Sequence, residues 1–254
     1  MIKYLLLLSL LLNFLHAERL GMNEKLGNYI PLDLKFINED SKLVTLRELM
    51  DGKPTLLTLN YFKCAGICSP QLNDMAKTLS RLHLAENMDY KVITVDFSET
   101  ETPAMAIKKK KNLLHSMNRA YVADAWHFVI GENNSSGKLA QSVGFDYKEK
   151  LMPSGDIGYI HPATLIALSP KGKIIRYMSG IEQLPTDVEL ALIEAKKGEV
   201  SPTIAKDSPF CFTDKPKGDV YMAEGGRVWA ILVLSVLAGF LIYLVKTSKI
   251  RKNN

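Results

Sequence analysis

Two of the three cysteines in this 254-residue chain stand four positions apart, Cys64 and Cys68, in NYFKCAGICSPQL (60–72). A pair at that spacing can staple the chain, cycle between dithiol and disulfide, or hold a soft metal ion. The thiolate is the working form in the last two cases. The apolar run PTLLTLNYF (54–62) precedes the pair and Ser69-Pro70 follows it. The run predicts a buried strand; Ser69 predicts a helix N-cap, and Pro70 suits a first turn, where no N–H is missed. Both sulfurs would then lie beside a helix N-terminus, whose unpaired N–H groups and dipole favour negative charge. Both should ionise more readily than an ordinary thiol. Between them, Gly66 permits backbone conformations that a residue with a Cβ resists, so the loop can aim two sulfurs at one point.

A soft-metal reading needs a third donor, and the chain has five histidines. His16 falls in an apolar leader. His83 and His115 follow predicted helices and His127 lies inside a predicted strand; each reads as an ordinary surface or core histidine. His161 lies in the glycine-containing stretch PSGDIGYIHPATL (153–165), at the end of a loop just before another strand, and is the candidate.

The elements that must position these residues follow an α/β order. After the strand at 54–62 comes a helix with Leu72, Met75, Ala76, Leu79 and Leu82 on its apolar face. YKVITVDF (90–97) is a second strand, and Pro103 opens a helix to about Met117. WHFVIGE (126–132) is a third strand and SSGKLAQSVG (135–144) a short helix. ATLIALSPKGKIIRYMSG (163–180) is a hairpin turning at Pro170–Gly172. PTDVELALIEAKKG (185–198) closes the domain, with Thr186 as cap and Gly198 as terminator. Residues 98–102 and 146–160 read as long connections. The run Lys108–Lys111 reads as a solvated helix face.

The ends define a compartment. Residues 1–17, MIKYLLLLSLLLNFLHA, read as a secretory signal peptide: a cationic start, an apolar core and a small residue at Ala17. Residues 228–245 carry no charge and are long enough for a transmembrane helix. Trp229 and Tyr243 mark its ends, and Lys246, Lys249, Arg251 and Lys252 place the tail at 246–254 in the cytoplasm. Residues 199–227 are a juxtamembrane linker. The net charge of +5 includes that tail cluster, so it is no nucleic-acid signal. The envelope permits disulfides, but three cysteines are too few for a disulfide scaffold.

With these elements placed, the chain resembles the Sco/SenC family, thioredoxin-fold copper-binding assembly factors for cytochrome oxidase. The resemblance rests on the apolar strand before Cys64–Cys68, on Val95-Asp96 ending the next strand, and on His161 with Gly172 eleven residues later in the hairpin turn. It covers about 25–198. The stretch 172–221, with Cys211 as a tail cysteine, is similar to a membrane-tethered subset. Cys211 itself reads as a structural or unpaired thiol. Two departures stand out. DFSETETP (96–103) has Phe97 where the family often has proline, keeping Glu99 and Glu101 nearby. Pro162 follows His161, where serine or threonine is commoner.

The resemblance implies an α/β thioredoxin-like fold with a mixed central sheet, plus one C-terminal transmembrane helix. It implies copper on Cys64 Sγ, Cys68 Sγ and one ring nitrogen of His161, with Asp96 in an outer shell. The same cysteines would form a redox pair. The implied function is an extracytoplasmic copper metallochaperone, tethered by a single pass in a bacterial inner membrane and facing the periplasm. Its partner would be a copper-containing respiratory oxidase subunit or another copper enzyme. The alternative is an envelope thiol–disulfide oxidoreductase. Such enzymes usually carry two residues between their cysteines, against three here, and would not require His161. A zinc-stabilised or disulfide-stapled interaction domain is a third reading. A peroxiredoxin is disfavoured, since Tyr61 stands where that family places threonine.

Overall fold

The structure, a computed structural model, describes residues 21–64, 66–98, 101–117, 119–152 and 155–204, together with Ser235 and Gly239. The leader at 1–17, Cys211 and the tail lie outside the described residues, as does the apolar stretch 228–245 apart from the helical Ser235 and Gly239. Among the described residues no helix is long and apolar enough to cross a membrane. The chain divides into two units, Met1–Phe212 and Thr213–Asn254. The first carries the sheet, the cysteine pair and His161.

Among its described residues nine strands and five α-helices alternate: β1 (Lys35–Ile37), β2 (Leu43–Thr45), α1 (Leu46–Met50), β3 (Thr55–Asn60), α2 (Cys68–Leu79), β4 (Lys91–Asp96), α3 (Pro103–Ser116), β5 (Trp126–Gly131), α4 (Ser135–Val143), β6 (Lys148–Leu151), β7 (Ile157–Ile160), β8 (Thr164–Leu168), β9 (Ile174–Ser179) and α5 (Pro185–Lys197). Seven strands form one mixed sheet in the order β2-β1-β5-β4-β3-β8-β9. β3, β4 and β5 are parallel neighbours, whereas β8 runs antiparallel to β3. This is the mixed α/β, thioredoxin-like architecture expected.

The central strands are buried along their whole length, as a sheet covered on both faces requires. Alternate residues feed two cores. Leu57, Leu59, Ile93, Val95 and Val129 point to a cluster closed by Leu46 and Leu49 of α1 and Leu139 and Val143 of α4. Leu56, Val92, Trp126 and Phe128 point to the other, closed by Leu72 and Leu79 of α2, Leu113 of α3 and Val188 and Leu192 of α5. Each fully buried aliphatic side chain contributes roughly 1.5–3 kcal/mol of transfer free energy.

Register decides where the chemistry falls. Asn60 at the end of β3 pairs with Asp96 at the end of β4, and Thr58 pairs with Leu165 near the start of β8. The exits of β3 and β4 and the entrance to β8 therefore share one edge. Gly172 shapes the β8–β9 turn at φ +77, and a Cβ there would come within 2.8 Å of Leu32 Cδ2.

Several sequence expectations are corrected. Ser69 does not cap α2: the cap position is Ile67, without a side-chain hydrogen bond, and Ser69 Oγ instead donates to Cys64 O at 3.2 Å. Thr186 does not cap α5, which is preceded by Leu184 and opened by Pro185. The stretch 146–160 is not a plain connection but contains the antiparallel β6–β7 pair. Its β6 strand, KEKL, is exposed throughout, so no apolar alternation announces it. The lysine run is only partly solvated: Lys108 and Lys111 are exposed, Lys109 is half-buried, and Lys110 is buried against Glu39.

Candidate metal centre

Cys68 opens α2, and Cys64 lies one turn before it in the loop leaving β3. The loop is tied at both ends. Asn60 Nδ2 donates to Gln71 Oε1 at 2.9 Å, joining the end of β3 to the first turns of α2. The Glu101 carboxylate accepts the backbone N–H of Phe62 and, at 2.6 Å, that of Lys63. The Gly66 N–H points at Cys64 Sγ, 3.3 Å away. A backbone dipole thus faces one sulfur and a helix N-terminus underlies the other, the arrangement that favours thiolates.

His161 enters from the far side of the sheet edge, between β7 and β8. Its Nε2 is 3.1 Å from Cys68 Sγ, although 93 positions separate the two in sequence. Its Nδ1 is 3.0 Å from Pro162 O. A carbonyl oxygen can only accept, so Nδ1 is the donor in that contact and Nε2 is the nitrogen turned towards the sulfur. The donor atoms of Cys64, Cys68 and His161 all lie within 4.8 Å of one another, and all three residues are buried. Two sulfurs and an imidazole are a soft donor set, suited to Cu(I) and able to bind zinc.

The surroundings are aromatic. Tyr61, Phe97 and Phe145 pack on the His161 ring at centroid distances of 5.9, 5.1 and 5.8 Å. Tyr147 and Tyr159 complete the wall against Phe97. Sequence reasoning missed this cluster, because its members come from four separate segments. Phe145, Tyr147 and Tyr159, shortly before the histidine at 161, were the available signal.

Asp96 ends β4 beside the site, with Oδ1 accepting the Ser98 N–H at 2.9 Å. Its Oδ2 is buried, and no donor among the described residues reaches it. Burial and the neighbouring Glu101 charge push Asp96 far above the usual carboxylate range. An orphaned carboxylate oxygen beside a second carboxyl is the geometry of a protonated acid. The other histidines do different work. His83 is exposed beside Glu189, His115 is exposed near the end of α3, and His127 faces Glu39 at 3.3 Å.

The domain is thioredoxin-like, and its two sulfurs and one imidazole are buried together at the carboxyl ends of the parallel strands. The SCO1/SenC family model matches residues 24–191, and the chain belongs to that family. The SCO1 protein homolog of Bacillus subtilis is 27% identical over 160 residues, covering 63% of this chain and 79% of that protein. Among solved structures, BsSco, described as a member of the Sco family of cytochrome c oxidase assembly proteins with a disulfide switch, aligns with TM-score 0.51 and 26% identity, over 68% of this chain and 97% of that one. Arabidopsis thaliana ScoI with copper bound aligns with TM-score 0.54 and 18% identity, over 68% and 99%.

Proposed function

We propose that this chain is an extracytoplasmic copper metallochaperone. It carries copper on Cys64, Cys68 and His161 and delivers it to, or prepares, the copper centre of a respiratory enzyme. The observation that carries the reading is the convergence of three soft donors within 4.8 Å in a buried site. The cytochrome c oxidase assembly role given for the family of BsSco and the copper bound by Arabidopsis ScoI support the pathway and the cargo. The hydrophobic leader at 1–17 and the uncharged stretch at 228–245 support an envelope location with a C-terminal tether. In that arrangement Gly66 N–H and the first turn of α2 offset the negative charge of two thiolates, while Pro162 O keeps the imidazole lone pair facing inward.

The test is a Cu(I) titration of the reduced full chain in detergent against a competing chelator. One copper per chain is expected. Cys64→Ser, Cys68→Ser and His161→Ala should each weaken binding by at least about tenfold. Equal affinity of wild type and His161→Ala would remove the imidazole from the ligand set. Protease accessibility in spheroplasts checks the location, since the domain should be digested from outside.

A second reading is favoured by the closeness of the two sulfurs and the disulfide switch named for BsSco. The pair would reduce a target disulfide: two thiols lose two electrons and two protons, Cys64 and Cys68 close a disulfide, and the target gains two thiols. Insulin reduction that survives His161→Ala would favour this reading, and no reduction by the wild type would end it.

A further inference from the structure

The imidazole that supplies the third donor has Pro162 O at its Nδ1, Cys68 Sγ at its Nε2 and aromatic rings against the rest of it. Phe97 is the centre of that arrangement. Its ring meets His161 edge-on at 5.1 Å and 66°, Tyr159 at 5.3 Å and 89°, and Tyr61 at 5.7 Å and 62°. It also lies 5.4 Å from Phe145 and 4.7 Å from Tyr147. No other ring among the described residues touches all the members of the cluster. Phe97 is itself immobilised: it is buried, and its N–H donates to Asn60 O at 3.0 Å, at the root of the cysteine loop. Both ends of the site, the sulfur loop and the histidine ring, thus register against the same residue.

We propose that Phe97 is a positioning residue that fixes the His161 ring in its Nδ1–H tautomer with Nε2 aimed at Cys68. The physical reason is the nature of the wall. The Phe97 and Phe145 rings offer the imidazole edges and faces with a preferred angle but carry no group that could compete with Pro162 O for a hydrogen bond. A flexible aliphatic side chain of similar bulk fills the same space without dictating an angle. The imidazole would then rotate about its own bonds, and Nε2 would face the sulfurs for only part of the time. A donor present for only a fraction of the time binds in proportion to that fraction. The proposal rests on His161 being a copper donor, but its first readout does not need copper.

The experiment uses the full chain in detergent, metal-free and then loaded with Cu(I). Ring-nitrogen chemical shifts of His161 in the metal-free wild type should show one tautomer. Phe97→Leu should show averaged shifts and should release copper to a chelator about tenfold faster, the scale of effect seen when residues that orient metal ligands are lost. Phe97→Tyr, which keeps the ring, should restore both. In a His161→Ala background, Phe97→Leu should no longer change copper release, because the residue acts through the ring. A single tautomer that persists in Phe97→Leu overturns the proposal, as does an equal change in copper release with and without His161. If Phe97→Leu fails to fold, the wild-type signal decides, and averaging there overturns the proposal. A wild type that holds no copper yet shows a fixed tautomer lost in Phe97→Leu sinks the copper reading and leaves the positioning role standing.

Discussion

At the scale of single residues the centre depends on where protons sit. His161 has its proton placed by Pro162 O, so the residue that lacks an N–H still orients the ring through its carbonyl. Asp96 has the opposite character. The family resemblance makes it an outer-shell candidate, and the structure places it beside Glu101, the carboxylate that holds the Phe62 and Lys63 amides. Because burial and the Glu101 charge raise its folded pKa, the folded state keeps a proton that the unfolded state loses above about pH 3.8. Stability therefore falls as pH rises through neutrality. Asp96→Asn supplies a donor at every pH and should flatten that slope. Urea unfolding at pH 5 and pH 8 should show the variant gaining on wild type at the higher pH; parallel behaviour would place the extra proton elsewhere.

At the scale of elements, one buried acid adds a polar tie to the apolar packing of α3. Glu39, in the turn between β1 and β2, receives Lys110 of α3, His127 Nδ1 at 3.3 Å and the Phe128 N–H at 3.1 Å. Burial alone would raise its pKa, but the hydrogen bonds from His127 and Lys110 and the lysine charge bring it down to about 2. A depressed carboxylate contributes stability above its unfolded value of 4.5 that is lost as pH falls towards 2. The linkage amounts to on the order of 3 kcal/mol. Glu39→Gln should cost about that much at pH 7, since it leaves Lys110 buried without its counter-charge. The gap should close as pH approaches 2, which acid titration of the unfolding midpoint would reveal. A constant gap would mean that the ion pair carries little of the linkage. The lysine run reads as a solvated stripe because periodicity marks Ala106, Leu113 and Met117 as the packed face. It cannot show that an acid from a distant turn reaches Lys110.

The helices α3, α4 and α5 lie where the apolar pattern put them, to within a residue or two, whereas α2 ends at Leu79 and leaves Leu82, read as part of its apolar face, beyond the helix. Their caps were less legible. Ser69 and Thr186 have the right side chains for capping but fall inside the first turn, because Ile67 and Leu184 already end the preceding loops. The short strands β1, β2, β6 and β7 were not legible at all. Three or four residues give too few periods to read, and their pairing depends on partners elsewhere in the chain.

At the scale of the whole molecule, folding and metal capture are linked. A ligand that binds only the folded state stabilises it by mass action, by about 4 kcal/mol when free ligand stands a thousandfold above its dissociation constant. Cu(I) should therefore raise the unfolding temperature of the full chain, and His161→Ala should lose most of that increase. A calorimetric scan with and without Cu(I), held by a chelator at fixed free concentration, measures it. An identical increase in the variant would mean that copper settles on the cysteines alone.

The cysteine donors and their local setting are legible in the primary structure alone. Two cysteines four apart after a buried strand must lie in the loop or first turn of the next helix, because chain connectivity and a single apolar period dictate it. It also determined the layered α/β order, since each long element carries its own burial pattern. Only the tertiary structure brought His161 to 3.1 Å from Cys68, closed five aromatic rings around the site and set Glu101 on the loop amides. Those contacts follow from strand order and register, with β8 running antiparallel beside β3 so that its entrance meets the exit of the cysteine strand. Register is a property of two segments at once, and no periodicity within either segment encodes it.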